Sequence, residues 1–161
     1  MSRKLELVTH SAEETRALGR ALGQAAQPGD LFLISGRLGT GKTCLVQGLA
    51  FGLGIEEYAR SPSFMIVNRY RGRLDLYHID LYRLEGLDEI IYLGLEDYLE
   101  EPGVFAVEWA DRASSLFPRE SMWITMDYGM EENDRRIAMK AQGRRYRELL
   151  RLLAAHTSRA R

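Results

Sequence analysis

The sequence predicts an α/β layered fold, with a mixed, mostly parallel central sheet flanked by helices. Three observations predict it. Two short apolar runs, Leu31-Phe32-Leu33-Ile34 and Val104-Phe105-Ala106-Val107, have the pattern of strands buried on both faces. Stretches with apolar residues at helical spacing alternate with the strand-like runs. Between the first run and the helix after it lies Gly36-Arg37-Leu38-Gly39-Thr40-Gly41-Lys42-Thr43. This segment matches G-x-x-x-x-G-K-[ST] in full and stands in the strand–loop–helix setting that a phosphate-binding loop requires. The layered fold is therefore expected to be P-loop NTPase-like.

Each element has its own signal. Ser11-Ala12-Glu13-Glu14 reads as a capping box. Behind it Ala17, Leu18, Ala21, Leu22, Ala25 and Ala26 form a helical stripe, which Pro28-Gly29-Asp30 ends. A second helix is expected from Lys42 to about Gly52. Met65–Tyr70 and Leu74–Asp80, with Arg71-Gly72-Arg73 between them, read as a hairpin or meander. This is the antiparallel part of the sheet. Leu87, Ile90, Ile91, Gly94, Leu95 and Tyr98 mark a third helix. Trp123–Asp127 and Arg136–Lys140 read as late strands, and Tyr146, Leu149, Leu150 and Leu153 as a closing amphipathic helix.

The 161 residues fit one domain, 1–161, with 145–161 as a basic helix or tail. A composition of 45% hydrophobic and 28% charged residues argues against disorder. No apolar run has the length of a membrane span. Met1–His10 alternates charged and apolar residues without a leader-peptide core. The single cysteine, Cys44, excludes an internal disulfide and argues against a Cys-based zinc site. A cytoplasmic protein without membrane contact is expected.

The net charge of -1 conceals two opposed blocks. Asp75–Asp111 carries 11 acidic residues against Arg83 alone, and Arg135–Arg161 carries nine basic residues against Glu148 alone. Arg144, Arg145, Arg147 and Arg151 fit three roles: a solvated helix face, a dock for an acidic partner, or a contact with nucleic-acid phosphates. No base-reading module is visible.

The loop dictates a chemistry. Its glycines let backbone N–H groups close around phosphate oxygens, and the following helix N-terminus adds positive potential. Gly36, Leu38, Gly39, Thr40, Gly41, Lys42 and Thr43 are the expected nucleotide-binding residues. Lys42 is placed for the β- and γ-phosphates of ATP, and the Thr43 hydroxyl for Mg²⁺. Such a site also needs a carboxylate at a strand end, to hold the metal or align water. Glu108 closes the better strand pattern and Asp80 the second, and the choice between metal and water stays open for each. His78 is expected to be a satisfied structural histidine, and Cys44 a small packed side chain. Ser11 and Thr15 are candidates for the adenine pocket, with helix capping as the competing role of Ser11.

Four motifs together resemble the TsaE (YjeE) family, small bacterial P-loop ATPases that support threonylcarbamoyladenosine formation on tRNA. They are Gly36–Thr43, Ser61-Pro62-Ser63-Phe64, His78-Ile79-Asp80-Leu81-Tyr82-Arg83-Leu84 and Val107-Glu108-Trp109. The H-x-D-L-Y-R-L string is more specific than the loop, which many families share. The resemblance implies a switch driven by ATP and ADP, with Ser61, Pro62, Ser63 and Phe64 in its mobile segment. It implies Mg²⁺ near Thr43 and Glu108, a catalytic Asp80, and switch or partner roles for Tyr82 and Trp109. It places Arg136 near the nucleotide and gives TsaD and TsaB as partners. Two departures stand out: Ser63 where Thr is common, and Cys44 where a second Thr is frequent.

Two other functions fit the loop. A small-molecule kinase would need an Arg-rich lid, yet Gly86–Pro102 contains no Arg or Lys. A nucleotide-binding adaptor would need Lys42 but not Asp80.

Overall fold

A computed structural model describes residues 3–57, 59 and 67–159. The strands are β1 (Lys4–Thr9), β2 (Leu31–Gly36), β3 (Val67–Tyr70), β4 (Leu76–Asp80), β5 (Val104–Glu108), β6 (Ser121–Tyr128) and β7 (Arg135–Gln142). The helices are α1 (Ala12–Ala25), α2 (Lys42–Gly52), α3 (Leu87–Tyr92), α4 (Leu95–Leu99) and α5 (Arg144–Arg159). A pair of 3-10 turns kinked at Ala113 spans Ala110–Leu116.

The seven strands form one sheet in the order β1-β7-β6-β2-β5-β4-β3. β6, β2, β5 and β4 pair in parallel, while β1–β7, β7–β6 and β4–β3 pair antiparallel. Five strands therefore run one way and β7 and β3 run against them, which is the mixed, mostly parallel sheet expected. Strand alternation divides the core. Leu76, Val104 and Ala106 face α1, α2 and α5 on one side. Tyr77, Ile79, Phe105 and Val107 face α3, α4 and the 3-10 turns on the other.

Three differences from the sequence reading have physical causes. The alternation in Lys4–Thr9 makes an edge strand, β1, which the sequence reading passed over. It packs Leu5 and Leu7 against the core and pairs with β7. The third helix is two short ones, because Gly94 adopts the left-handed conformation (φ 76°) between them. The hairpin forms from Val67 to Asp80, while Met65 and Ile66, the expected start of its first strand, lie outside the described residues.

α1 and α2 meet backbone to backbone. A Cβ added to Gly19 would lie 2.2 Å from the Leu45 carbonyl oxygen, and one added to Gly48 would lie 2.1 Å from that of Arg16. Gly23 and Gly52 stand in the same relation to Leu49 and Arg20. Small residues on both helices thus set how close α2 comes to α1.

The start of α5 is anchored under β2. Asp30, 3% exposed, accepts bonds from Arg145 Nε (3.0 Å) and Nη2 (2.7 Å) and from the Gln27 N–H (2.8 Å). Burial pushes the Tyr146 hydroxyl up to about 12, and its oxygen accepts the Leu31 N–H. One arginine of the basic tail is thus a structural clamp. Arg144 lies 3.8 Å from Glu148, and Arg151 is exposed on the outer face.

Two stability outcomes follow from this packing. Gly48→Ala forces backbone atoms apart and should lower the urea-denaturation free energy by about 1–3 kcal/mol. An unchanged midpoint would contradict the close crossing. Asp30→Ala strands the half-buried Arg145 charge and should cost about 3–5 kcal/mol in the same assay.

Candidate functional site

The loop Gly36–Thr43 leaves the end of β2 and enters α2, at the carboxyl ends of the parallel strands, where α/β sheets bind ligands. Gly41 caps α2 with a φ of 99°, a conformation that side chains resist. Gly36 passes so close to β6 that a Cβ there would lie 2.4 Å from the Met126 carbonyl oxygen. Thr40 is fully buried and donates its hydroxyl to the Arg37 carbonyl at 2.7 Å. Leu38 is exposed at the loop tip.

Lys42 turns back onto its own loop. Its Nζ donates to the carbonyls of Gly36 (2.5 Å) and Arg37 (2.9 Å), and lies 4.1 Å from the centre of the Trp109 ring. Burial lowers the pKa of this amine, against the raising influence of Glu108, Asp80 and Asp111. The Lys42 charge is thus desolvated and held mainly by carbonyl dipoles and an indole face.

Glu108 ends β5 and is 2% exposed. The Thr43 hydroxyl donates to its two carboxylate oxygens at 3.0 and 3.1 Å. His78 Nε2 lies 2.5 Å from Oε2 of the same carboxylate. The expectation of a satisfied structural histidine is corrected here: among the described residues the buried His78 Nδ1 has no hydrogen-bond partner. Asp80 is the register partner of Glu108 on β4, and its Oδ1 accepts the Tyr82 N–H at 3.0 Å. Burial raises the Asp80 carboxyl, Glu108 adds to the effect, and the Tyr82 bond opposes it.

Trp109 follows Glu108 in the left-handed conformation (φ 60°), the only non-glycine with positive φ among the described residues. Its ring lies 4.9 Å from that of Tyr82. Arg112 stands over both rings and donates to the carbonyls of Tyr82 and Leu84 at 2.5 and 2.8 Å. The structure thus brings Lys42, Thr43, Asp80, Tyr82, Glu108 and Trp109 together.

Ser11 caps α1 by accepting the Glu14 N–H at 3.1 Å. In the capping box, Glu14 reaches back to the N–H of His10 rather than that of Ser11. Thr15 shares a 2.7 Å hydroxyl bond with Thr9. The start of α1 nevertheless borders α2, because Cys44 Sγ contacts the Ala12 carbonyl at 3.2 Å. Burial raises the Cys44 thiol, consistent with a packed side chain. Arg136 bonds to the Tyr128 carbonyl and to Asp127, and among the described residues it is linked to the loop through the Asp127–Arg37 pair. Its neighbour Arg135 lies nearer, with Nη2 3.4 Å from the Gly39 carbonyl oxygen. The Tyr128 ring lies 4.9 Å from the Arg37 guanidinium and 5.1 Å from that of Arg135, and its hydroxyl donates to the Leu38 carbonyl. Ser61, Pro62, Ser63 and Phe64 lie outside the described residues.

The sequence reading missed Arg135, Tyr128, Arg112 and the role of His78. The string His78-Ile79-Asp80 held a signal, since strand alternation sets His78 and Asp80 on one face. Nothing local in the sequence brings Tyr128 or Arg135 to the loop.

The donor set suits a hard cation. Thr43, Glu108 and Asp80 offer a hydroxyl and two carboxylates, all oxygen, which is the chemistry Mg²⁺ takes alongside phosphate oxygens.

A family model described as threonylcarbamoyl adenosine biosynthesis protein TsaE matches residues 9–137. The chain is 39% identical over 155 residues to the tRNA threonylcarbamoyladenosine biosynthesis protein TsaE of Bacillus subtilis, covering 96% of each chain. It is 49% identical over 124 residues to the protein of that name from a Nostoc species, covering 74% of this chain and 75% of the other. The crystal structure of Bacillus subtilis YdiB superposes with a TM-score of 0.81 at 36% identity, covering 98% of both chains.

Because burial raises the Asp80 carboxyl, its ionised form is the disfavoured one in the fold, and ionisation at neutral pH costs stability. Asp80→Asn should therefore raise the melting midpoint of the free protein at pH 7. The gain should shrink as pH falls toward 3.8, where both states take up the proton. A lower midpoint at pH 7 would contradict the desolvated site.

Proposed function

Since this chain belongs to the TsaE family, we propose that it is an ATP-binding and ATP-hydrolysing switch for threonylcarbamoyladenosine modification of tRNA, working with the TsaD–TsaB complex in the cytoplasm. The observation that carries the ATPase reading is the contact of Thr43, on the phosphate loop, with Glu108, at the end of the neighbouring strand. Among the described residues no helix is long and apolar enough to cross a membrane.

In this reading the N–H groups of the loop and the start of α2 bind the phosphates. Lys42 leaves the Gly36 and Arg37 carbonyls and neutralises the β- and γ-phosphates. Thr43 and Glu108 hold Mg²⁺, which supplies charge neutralisation on the phosphate oxygens. Asp80, whose carboxyl is raised by burial, faces the attacking water and takes up its proton. Hydrolysis is slow in the isolated chain and quickens with the partners. When Lys42 moves, the Trp109 ring keeps only Arg112 of its two cations. Tyr82 and Arg112, packed on that ring, relay the change toward the surface. tRNA is engaged through the partners or through the outer face of α5.

Reconstitution tests this reading directly. TsaB–TsaD with tRNA should form modified tRNA only when this protein and ATP are both present. Lys42→Ala should lose ATP binding and modification together. Asp80→Asn should keep ATP binding and lose about 10²–10⁴-fold in hydrolysis. Rapid turnover by the lone chain without response to TsaB–TsaD, or modification that proceeds without it, would overturn the switch.

A further inference from the structure

We propose that His78 is a positioning residue for the divalent-metal site: it orients the Glu108 carboxylate so that it shares the ion with Thr43. This rests on the reading of Thr43 and Glu108 as the metal site.

His78 lies in the middle of β4 and is fully buried. Its register neighbour on β5 is Ala106, whose small side chain leaves the imidazole space beside that strand, and Glu108 stands two residues on. Among the described residues the ring makes one hydrogen bond, from Nε2 to Glu108 Oε2 at 2.5 Å. Its Nδ1 has no partner among them. A histidine kept for the core's hydrogen bonding would use both nitrogens, and an apolar side chain would fill the place without stranding a polar atom. What this residue provides that an apolar one does not is the bond to Glu108. A carboxylate partner requires the proton on Nε2, so the ring donates to Oε2 and fixes the carboxylate's rotation.

The division of the carboxylate follows. Oε2 takes the bond from His78, and both oxygens lie against the Thr43 hydroxyl. Oε1 is thereby left turned toward Thr43 with a lone pair for a cation. Groups that orient a metal ligand in this way set metal affinity without touching the metal.

The test uses the full chain and Mn²⁺ as the probe, with binding read by electron paramagnetic resonance in the presence of ADP. His78→Leu should weaken Mn²⁺ binding about 10–100-fold. Its affinity for ADP in EDTA should stay within about twofold, because Lys42 and the loop N–H groups are untouched. His78→Gln, whose amide nitrogen can occupy the place of Nε2, should restore most of the affinity. His78→Asn, too short to reach, should not. If His78→Leu fails to fold, the comparison of Gln with Asn carries the test. Wild-type affinity in the Leu or Asn variant overturns the proposal. So does an equal loss in Gln and Asn with lowered melting midpoints, which marks a packing role only. Glu108→Gln separates the two readings: if it binds Mn²⁺ as the wild type does, the metal site itself is misassigned.

Discussion

The contact between the Thr43 hydroxyl and the Glu108 carboxylate joins two segments 65 positions apart in sequence, and the rest of the site depends on it. It exists because two independent placements agree. Parallel pairing sets Ile34 of β2 beside Glu108 of β5, so the carboxylate stands level with the strand from which the loop departs. The glycine-faced crossing of α1 and α2 then fixes the axis of the helix whose first turn carries Lys42 and Thr43. A shift of α2 by the width of one methyl group would separate the hydroxyl from the carboxylate.

Charge is arranged around that contact at a cost in stability. Lys42 is desolvated and rests on carbonyls, Asp80 is half-buried where its charged form is disfavoured, and Trp109 occupies a backbone region costing roughly 1–2 kcal/mol. Strain gathered at one place is the pattern of a site built to bind something. The acidic excess of the middle of the chain divides accordingly. Asp80, Glu108 and Asp111 bear on Lys42, Asp75 pairs with Arg69, and the acids of α3 and α4 line the outer face of the second core. In the basic C-terminal block, Arg145 closes the base of the sheet through Asp30, and Arg135 reaches the phosphate loop.

Local signals were legible in the sequence. The loop announces itself through residue type and spacing, and the strands through unbroken apolar runs. Asp80 and Glu108 could be picked out because a carboxylate at a strand end beside such a loop has few other uses. What stayed hidden depends on which strand lies beside which. Tyr128 and Arg135 reach the loop only because β6 pairs with β2 and β7 with β6. The pairing of His78 with Glu108 needs the register of β4 on β5. Arg136 and Arg135 show the limit plainly: adjacent residues of a strand face opposite ways, and only the sheet tells which faces the loop. The edge strand β1 was present as an alternation of charged and apolar residues, but alternation in ten residues does not say what they pair with.

Gly36–Thr43 and Glu108 together make one nucleotide and metal site in the proposed function. A crystal structure with Mg²⁺ and a non-hydrolysable ATP analogue tests it most directly. The metal should lie against the Thr43 hydroxyl, with Glu108 bound to it directly or through one water. Lys42 should be withdrawn from the Gly36 and Arg37 carbonyls and bonded to phosphate oxygens. Nucleotide bound elsewhere, or bound here with Lys42 still on those carbonyls and the metal away from Thr43, would contradict it.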